Sequence, residues 1–94
     1  MERWTESMTD RHYRVPEELV ERNGAGGWSG LAIDRLGAYE TLHEALFARR
    51  VAIPSELESL RVQGREKTVK FKELLAEKLM VEAFLSRLAL HGLR

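Results

Sequence analysis

Glu40 and His43 are the residues whose types and spacing come closest to a chemical site. They form one Glu-x-x-His pair, the arrangement by which di-iron bundle proteins place two metal ligands on one face of a helix. Such a centre needs a second pair and further inward-pointing carboxylates, and the sequence contains a single copy. His43 also falls on a predicted apolar seam, which favours a partly buried, hydrogen-bonded histidine. We therefore predict no metal site at this pair.

No other group of reactive residue types forms a recognisable catalytic motif. His12, His43 and His91 lie far apart in the sequence, and the lack of cysteine removes thiolate zinc sites, disulfides and cysteine nucleophiles. A glycine cluster between residues 24 and 30 does not have the Lys-Ser/Thr ending of a phosphate-binding P-loop, so it predicts a flexible joint. We expect a protein that is not an enzyme and that holds no cofactor.

The charge of the chain is uneven in one short segment, 64–72, which we call the basic turn. Over the whole chain fifteen basic residues balance fifteen acidic ones, which argues against nucleic acid as a partner. Three interpretations of the basic turn stay open: a solvated loop, contact with nucleic-acid phosphates, and pairing with acidic groups of a target or of another subunit, such as Glu17, Glu18 and Glu21. The cations of the basic turn are Arg65, Lys67, Lys70 and Lys72.

Residues 1–28 are predicted to form a short irregular N-terminal segment that ends in the glycine-rich joint. Within it, the stretch 5–15 could form a small strand or hairpin, and Pro16 can start one or two helical turns. A long helix should begin directly after the segment. Ser29 is a good N-cap for that helix, and Trp28 is placed to close a hydrophobic staple onto its first turns.

A spacing of three and four residues runs along the long helix from Leu36 to Leu60, through mostly apolar residues with His43 and Arg50 among them. This spacing predicts one continuous packing seam. Pro54 interrupts the seam, and Ser55 with Glu58 spells a capping box at which a second helix could start. Because the apolar phase continues across the proline, we predict one kinked helix. Gly64 supplies its C-terminal stop.

The last helix has defined ends, with Thr68 as N-cap and Gly92 as the left-handed residue of a Schellman motif. Its apolar surface is too wide for one partner helix, and exposed apolar patches of that size usually mark an interface. We therefore expect a homodimer or a higher oligomer. The predicted interface residues are Leu75, Leu79, Val81, Phe84 and Leu88.

These elements predict an all-α single domain in which the long kinked helix packs antiparallel on the C-terminal helix. The predicted division is an irregular segment over 1–28 and a helical hairpin over 29–94. No apolar run approaches the roughly 18 residues that a membrane span requires, and the first ten residues do not read as a signal peptide. We expect a cytoplasmic protein that does not contact a membrane.

Two stretches of the sequence resemble a group of short hypothetical proteins from Firmicutes phages and integrated mobile elements. Residues 1–6 (MERWTE) and 32–40 (AIDRLGAYE) are similar to the MERLTE opening and the IDRLAAYED motif of that group. Trp4, Gly37 and Thr41 depart from the pattern. Residues 64–74 resemble a subset of the group that has a long helical hairpin. The resemblance implies a mobile-element origin and a bacterial host cytosol, and it brings no activity or functional residues.

From these features we expect a non-enzymatic phage or mobile-element protein that binds and inhibits a host macromolecule. The most specific version of this hypothesis is an anti-CRISPR or other anti-defence inhibitor. One alternative is an oligomer that sequesters a nucleotide signal, with Tyr13, Tyr39 or Trp28 stacking on the base. Another is a DNA-associated regulator, although nucleic acid is the less favoured partner. Besides the four cations of the basic turn, the candidate target-binding residues are Trp4, Tyr13 and Trp28.

Overall fold

The structure, a computed structural model, describes residues 1–94 and contains four short strands and two helices. The strands are β1 (Glu6–Thr9), β2 (His12–Arg14), β3 (Glu21–Arg22) and β4 (Trp28–Ser29), and a 3₁₀ turn over Glu17–Leu19 lies between β2 and β3. The helices are α1 (Leu31–Val62) and α2 (Val69–Leu90). The predicted helix-rich fold with two packed helices is confirmed. The four strands show that it is not purely all-α.

The N-terminal segment is two small antiparallel hairpins, so the prediction of an irregular segment is corrected. β1 pairs with β2 through a tight turn in which Arg11 adopts a φ of 61°, and a bulge interrupts the pairing between Ser7 and Thr9. β3 pairs with β4 around the glycine joint, where the Asn23 side chain accepts a hydrogen bond from the backbone N–H of Ala25 at 2.8 Å. The predicted hairpin within 5–15 is present, and the second hairpin is an addition that the sequence did not indicate.

The start of α1 differs from the prediction by one residue, because Gly30 rather than Ser29 takes the N-cap position. The Gly30 carbonyl accepts the first helical hydrogen bond, from the Asp34 N–H at 2.9 Å, while Ser29 pairs with Glu21 in β4. Gly30 has a φ of 124°, and a Cβ at this position would lie 2.5 Å from the Leu19 carbonyl oxygen. The chain therefore requires glycine here for both conformation and space.

The helix α1 runs without a break through Pro54, which removes the alternative of a second helix starting at Ser55. Proline lacks a backbone donor, so the helix loses one hydrogen bond at this point. Ile53, directly before the proline, is fully buried. Burial of an aliphatic side chain contributes roughly 1.5–3 kcal/mol, which offsets part of the cost of a proline inside a helix.

Contacts group the residues into two compact units, Met1–Thr41 and Leu42–Arg94, and the boundary lies inside α1. Within the second unit α1 and α2 bury one apolar seam between them. The positions follow a spacing of three and four residues, typical of helices that pack along their length. The buried side chains are Leu46, Ile53, Leu57, Phe71, Leu74, Val81 and Leu85.

Both helix ends in the second unit match the sequence prediction. After α1, Gly64 adopts a φ of 71° and the Arg65 N–H donates to the Leu60 carbonyl at 2.7 Å. After α2, Gly92 has a φ of 83° and the Leu93 N–H donates to the Leu88 carbonyl at 3.0 Å, as in a Schellman motif. Neither helix is apolar enough over a sufficient length to cross a membrane.

Candidate interaction surfaces

The basic turn has a fixed backbone because both flanking helices are capped within it. Thr68 caps α2, its hydroxyl accepting a hydrogen bond from the Phe71 N–H at 3.3 Å. The same hydroxyl donates to the Arg65 carbonyl at 2.7 Å, and the Thr68 N–H donates to that carbonyl at 3.2 Å. Together with the left-handed Gly64, these bonds hold the loop in one conformation. The backbone positions from which the cations of the turn project are therefore defined.

The cations of the basic turn form no salt bridge, although the pKa of Glu77, which hydrogen bonds from Arg49 lower, is lowered further by the charge of Lys70. All four cations are exposed. Lys70 and Lys72 occupy the first turn of α2, which contains no acidic residue. The N-terminal end of a helix carries partial positive charge, so a cation there opposes the helix dipole by roughly 0.3–1 kcal/mol. Glu66 is the one acidic residue in the segment.

The three predicted aromatic anchors lie in the first unit, and each has an arginine over its ring. The guanidinium carbon of Arg35 lies 3.3 Å from the centroid of the Trp4 ring, and Trp4 is half-buried. Arg35 also donates to the Glu2 carbonyl at 2.8 Å, so this pair holds the N-terminal residues onto the start of α1. Trp4 is therefore a packing residue more than a free anchor.

Tyr13 and Trp28 remain more than half exposed. The Arg3 guanidinium lies 5.1 Å from the Tyr13 ring centroid, and the Arg22 guanidinium lies 5.3 Å from that of Trp28. Cation–π contacts at exposed sites contribute about 0.5–1 kcal/mol each. The sequence did not indicate the contacts of Arg3 with Tyr13 and of Arg35 with Trp4, because each joins residues that are distant along the chain.

The exposed surface of α2 contains only part of the predicted oligomer interface. Val81 is 1% exposed and belongs to the hairpin core, so it is corrected from an interface residue to a core residue. Leu88 is half-buried: it packs against the same core and also lines an exposed apolar groove. Leu75, Leu79 and Phe84 are exposed, as the prediction requires.

Met80, which the prediction left out, is 56% exposed on the same helix. An apolar groove of about 380 Å³ runs beside it toward the end of the chain. Its lining residues are Met80, Ala83, Phe84, Arg87, Leu88, His91 and Leu93.

A second cleft, of about 560 Å³, surrounds the half-buried His43. The imidazole stacks on the Phe47 ring with centroids 4.7 Å apart, and the Arg50 guanidinium lies 4.7 Å from the same ring centroid. His43 thus packs against an aromatic ring, where the sequence favoured a hydrogen-bonded role. Glu82, Ser86 and Arg94 complete the polar lining of the cleft. Glu40 of the Glu-x-x-His pair is exposed.

Comparison of the chain with protein-family models, characterised proteins and solved structures gives no match.

Proposed function

We propose that this chain is a non-enzymatic binding protein of a phage or mobile element, which inhibits a host macromolecule by docking its basic turn onto an acidic surface. Inhibition of a bacterial defence system, of the anti-CRISPR or a related type, is the narrowest form of the proposal. The mobile-element origin rests on the resemblance of residues 1–6 and 32–40 to phage proteins.

The observation that carries the proposal is the placement of the four cations. None of them forms a salt bridge in the chain, although the charge of Lys70 acts on the Glu77 carboxylate. Two of them, Lys70 and Lys72, lie where the dipole of α2 opposes a cation. The capped backbone holds the four cations close together in the turn between α1 and α2, although Lys70 and Lys72 lie on different sides of α2. Such a cluster supports binding, because exposed cations steer an acidic partner and accelerate its association.

An acidic protein surface fits the basic turn better than nucleic acid. Binding of single strands depends on exposed aromatic rings for base stacking, and Phe71, the aromatic residue of this segment, is buried in the hairpin core. Glu66 lies among the cations and would face the phosphates of a polyanion. A protein partner with discrete acidic groups can accommodate that carboxylate beside a basic residue of its own.

The proposal is tested by reversing the charge of the turn without changing its fold. The test variant carries Arg65→Glu, Lys67→Glu, Lys70→Glu and Lys72→Glu. The matched control exchanges arginine for lysine and lysine for arginine at the same four positions, which keeps every charge. Circular dichroism establishes that both variants are folded before they are compared in a host-defence assay.

We expect the charge-conserving control to keep inhibitory activity and the reversed variant to lose it. A folded reversed variant that inhibits as well as the wild type would contradict the proposal. If the two four-site variants lose activity equally, shape rather than charge is responsible, and the electrostatic mechanism is wrong.

A second candidate function, the capture of a small nucleotide, is favoured by the cleft around Phe47. Arg50 and Arg94 supply two cations beside an aromatic ring there, against one carboxylate, that of Glu82. A ring with an excess of cations suits a base and a phosphate. Titration with AMP tests it, with Arg50→Gln as the cleft variant. Arg61→Gln is the control, since Arg61 lies over Phe71 in a similar pair outside the cleft. Binding that only Arg50→Gln weakens supports this function, and no measurable binding at millimolar AMP removes it.

A further inference from the structure

We propose that the exposed face of α2 binds the same face of a second copy of this chain in an antiparallel pair, with Met80 on the twofold axis. This inference is independent of the basic turn and of its target. It assigns the register of the pair, which follows from the order of charged, small and large residues on that face.

The pairing face is the side of α2 that faces away from the hairpin core. At 3.6 residues per turn, Met80 lies roughly 130° around the helix from the middle of the buried seam. Side chains at spacings of three and four residues from Met80 lie on the same side of the helix. They are all exposed, and they are Val69, Glu73, Ala76, Met80, Ala83, Phe84 and Arg87.

The charges on this face are complementary to themselves only in the antiparallel orientation. Glu73 lies seven residues before Met80 and Arg87 lies seven residues after it. An antiparallel crossing at Met80 therefore places Glu73 opposite Arg87 of the second copy, and the twofold axis repeats the pair. A parallel crossing would oppose like charges instead. Neither residue forms an ion pair within its own chain, so both are available.

The sizes of the apolar side chains match in the same register. Ala76 lies four residues before Met80 and Phe84 four residues after it, so the large ring of each copy faces the small side chain of the other. Phe84 is 47% exposed and can move into this contact from solvent. Val69, which is also exposed, lies opposite His91 at the apolar groove near the end of α2.

The size of the surface indicates a dimer that dissociates on dilution. A single pair of 22-residue helices buries less than the roughly 1,600 Å² typical of a stable protein interface. Charge and size complementarity then determine the orientation of the two helices. The free energy of dimerisation comes mainly from burial of Met80 and Phe84. We expect self-association in the micromolar range, on the order of weak interfaces of this class.

A charge-swap experiment tests the register directly. Glu73→Arg and Arg87→Glu should each raise the dimer dissociation constant about tenfold at low salt. Each single substitution places like charges opposite each other at both symmetry-related positions of the dimer. The double variant with both changes should return to the wild-type value. Glu82→Arg is the control, since it makes the same charge change on α2 outside the face. Sedimentation velocity over a concentration series is the measurement.

Three outcomes would overturn the proposal: a wild-type chain that is monomeric at several hundred micromolar, a dimer that neither single reversal weakens, or a double variant that does not recover.

A second test needs no change of charge. The chain has no cysteine, so Met80→Cys introduces one thiol on the proposed axis. It should cross-link with diamide much faster than the control Glu82→Cys, and equal rates for the two variants would contradict the register.

Discussion

The Arg49 guanidinium on α1 donates two hydrogen bonds to the Glu77 carboxylate on α2, one of them from Nε at 3.2 Å. The same guanidinium also donates to Glu56 at 2.9 Å, so one cation lies between two carboxylates. These hydrogen bonds hold the pKa of Glu77 below its ordinary value and raise that of Arg49. The interaction crosses the hairpin and fixes the relative rotation of its two helices.

The first prediction concerns acid. Because the pKa of Glu77 is lowered by folding, its pairing stabilises the hairpin above its unfolded pKa and ceases to do so as the pH falls through the folded value. We expect Glu77→Gln to lower the Tm at pH 7 and to flatten the loss of Tm between pH 5 and pH 3. The control is Glu58→Gln, whose partner Arg61 lies 3.7 Å away on the exposed side of α1. Equal pH profiles for the wild type and Glu77→Gln would show that the pair contributes nothing.

A second prediction uses two glycines with opposite surroundings. Gly30→Ala places a Cβ against the Leu19 carbonyl oxygen and should destabilise the N-terminal hairpins by roughly 1–3 kcal/mol. Gly37 lies inside α1 with open space around it, so Gly37→Ala should stabilise the chain by about 0.5–1 kcal/mol. Urea denaturation measures both variants. A Gly30→Ala variant as stable as the wild type would contradict the close approach at Gly30.

The third prediction separates the hairpin core from the exposed surface of α2. Val81→Ala removes two methyl groups from a buried site and should cost about 2 kcal/mol of unfolding free energy, whatever the protein concentration. Leu79 is 68% exposed, so Leu79→Ala should change that free energy by less than about 0.5 kcal/mol. Urea denaturation at two protein concentrations distinguishes a core residue from a contact between copies. If Val81→Ala lowered the unfolding free energy less at low protein concentration than at high, Val81 would contribute to a contact between copies instead of the core.

A fourth prediction is that the chain becomes more stable when two cations of the basic turn are replaced by acidic residues. Lys70→Glu and Lys72→Glu together place acidic groups at the N-terminal end of α2, where the helix dipole favours them. We expect this double variant to be more stable than the wild type by about 0.5–1 kcal/mol at low salt and to inhibit its target less. Thermal denaturation at 20 mM and 500 mM salt measures the effect. A double variant of lower stability would show that the two lysines do not oppose the dipole.

The sequence predicted those features that depend on neighbouring residues. The caps at Thr68, Gly64 and Gly92 are local arrangements of side chain and backbone, and each is present as expected. The predicted N-cap of α1, Ser29, lies one residue before the observed one, because Ser29 pairs with Glu21 in the second hairpin. Spacing along the chain does not reveal that pairing. The two-residue strands β3 and β4 have no periodicity that could have indicated them.

The candidate surfaces were predicted in part for a similar reason. The apolar circumference of α2 indicated two faces, but Val81 and Phe84 could not be assigned to the core or to solvent until the orientation of α1 was known. The contact of Trp4 with Arg35 joins residues in different elements, and nothing in the sequence pairs them. The cations of the basic turn could be named from sequence alone because they are close neighbours along the chain.

The measurement that tests the central claim most directly is a comparative capture of host proteins at low salt. The wild type, the charge-conserving control and the variant reversed at all four cations of the basic turn are immobilised equally and exposed to one bacterial lysate. Quantitative mass spectrometry then compares what each retains. We predict that an acidic protein is retained by the first two, is lost from the folded reversed variant, and elutes as salt is raised. Equal retention of the same proteins by all three would contradict the account.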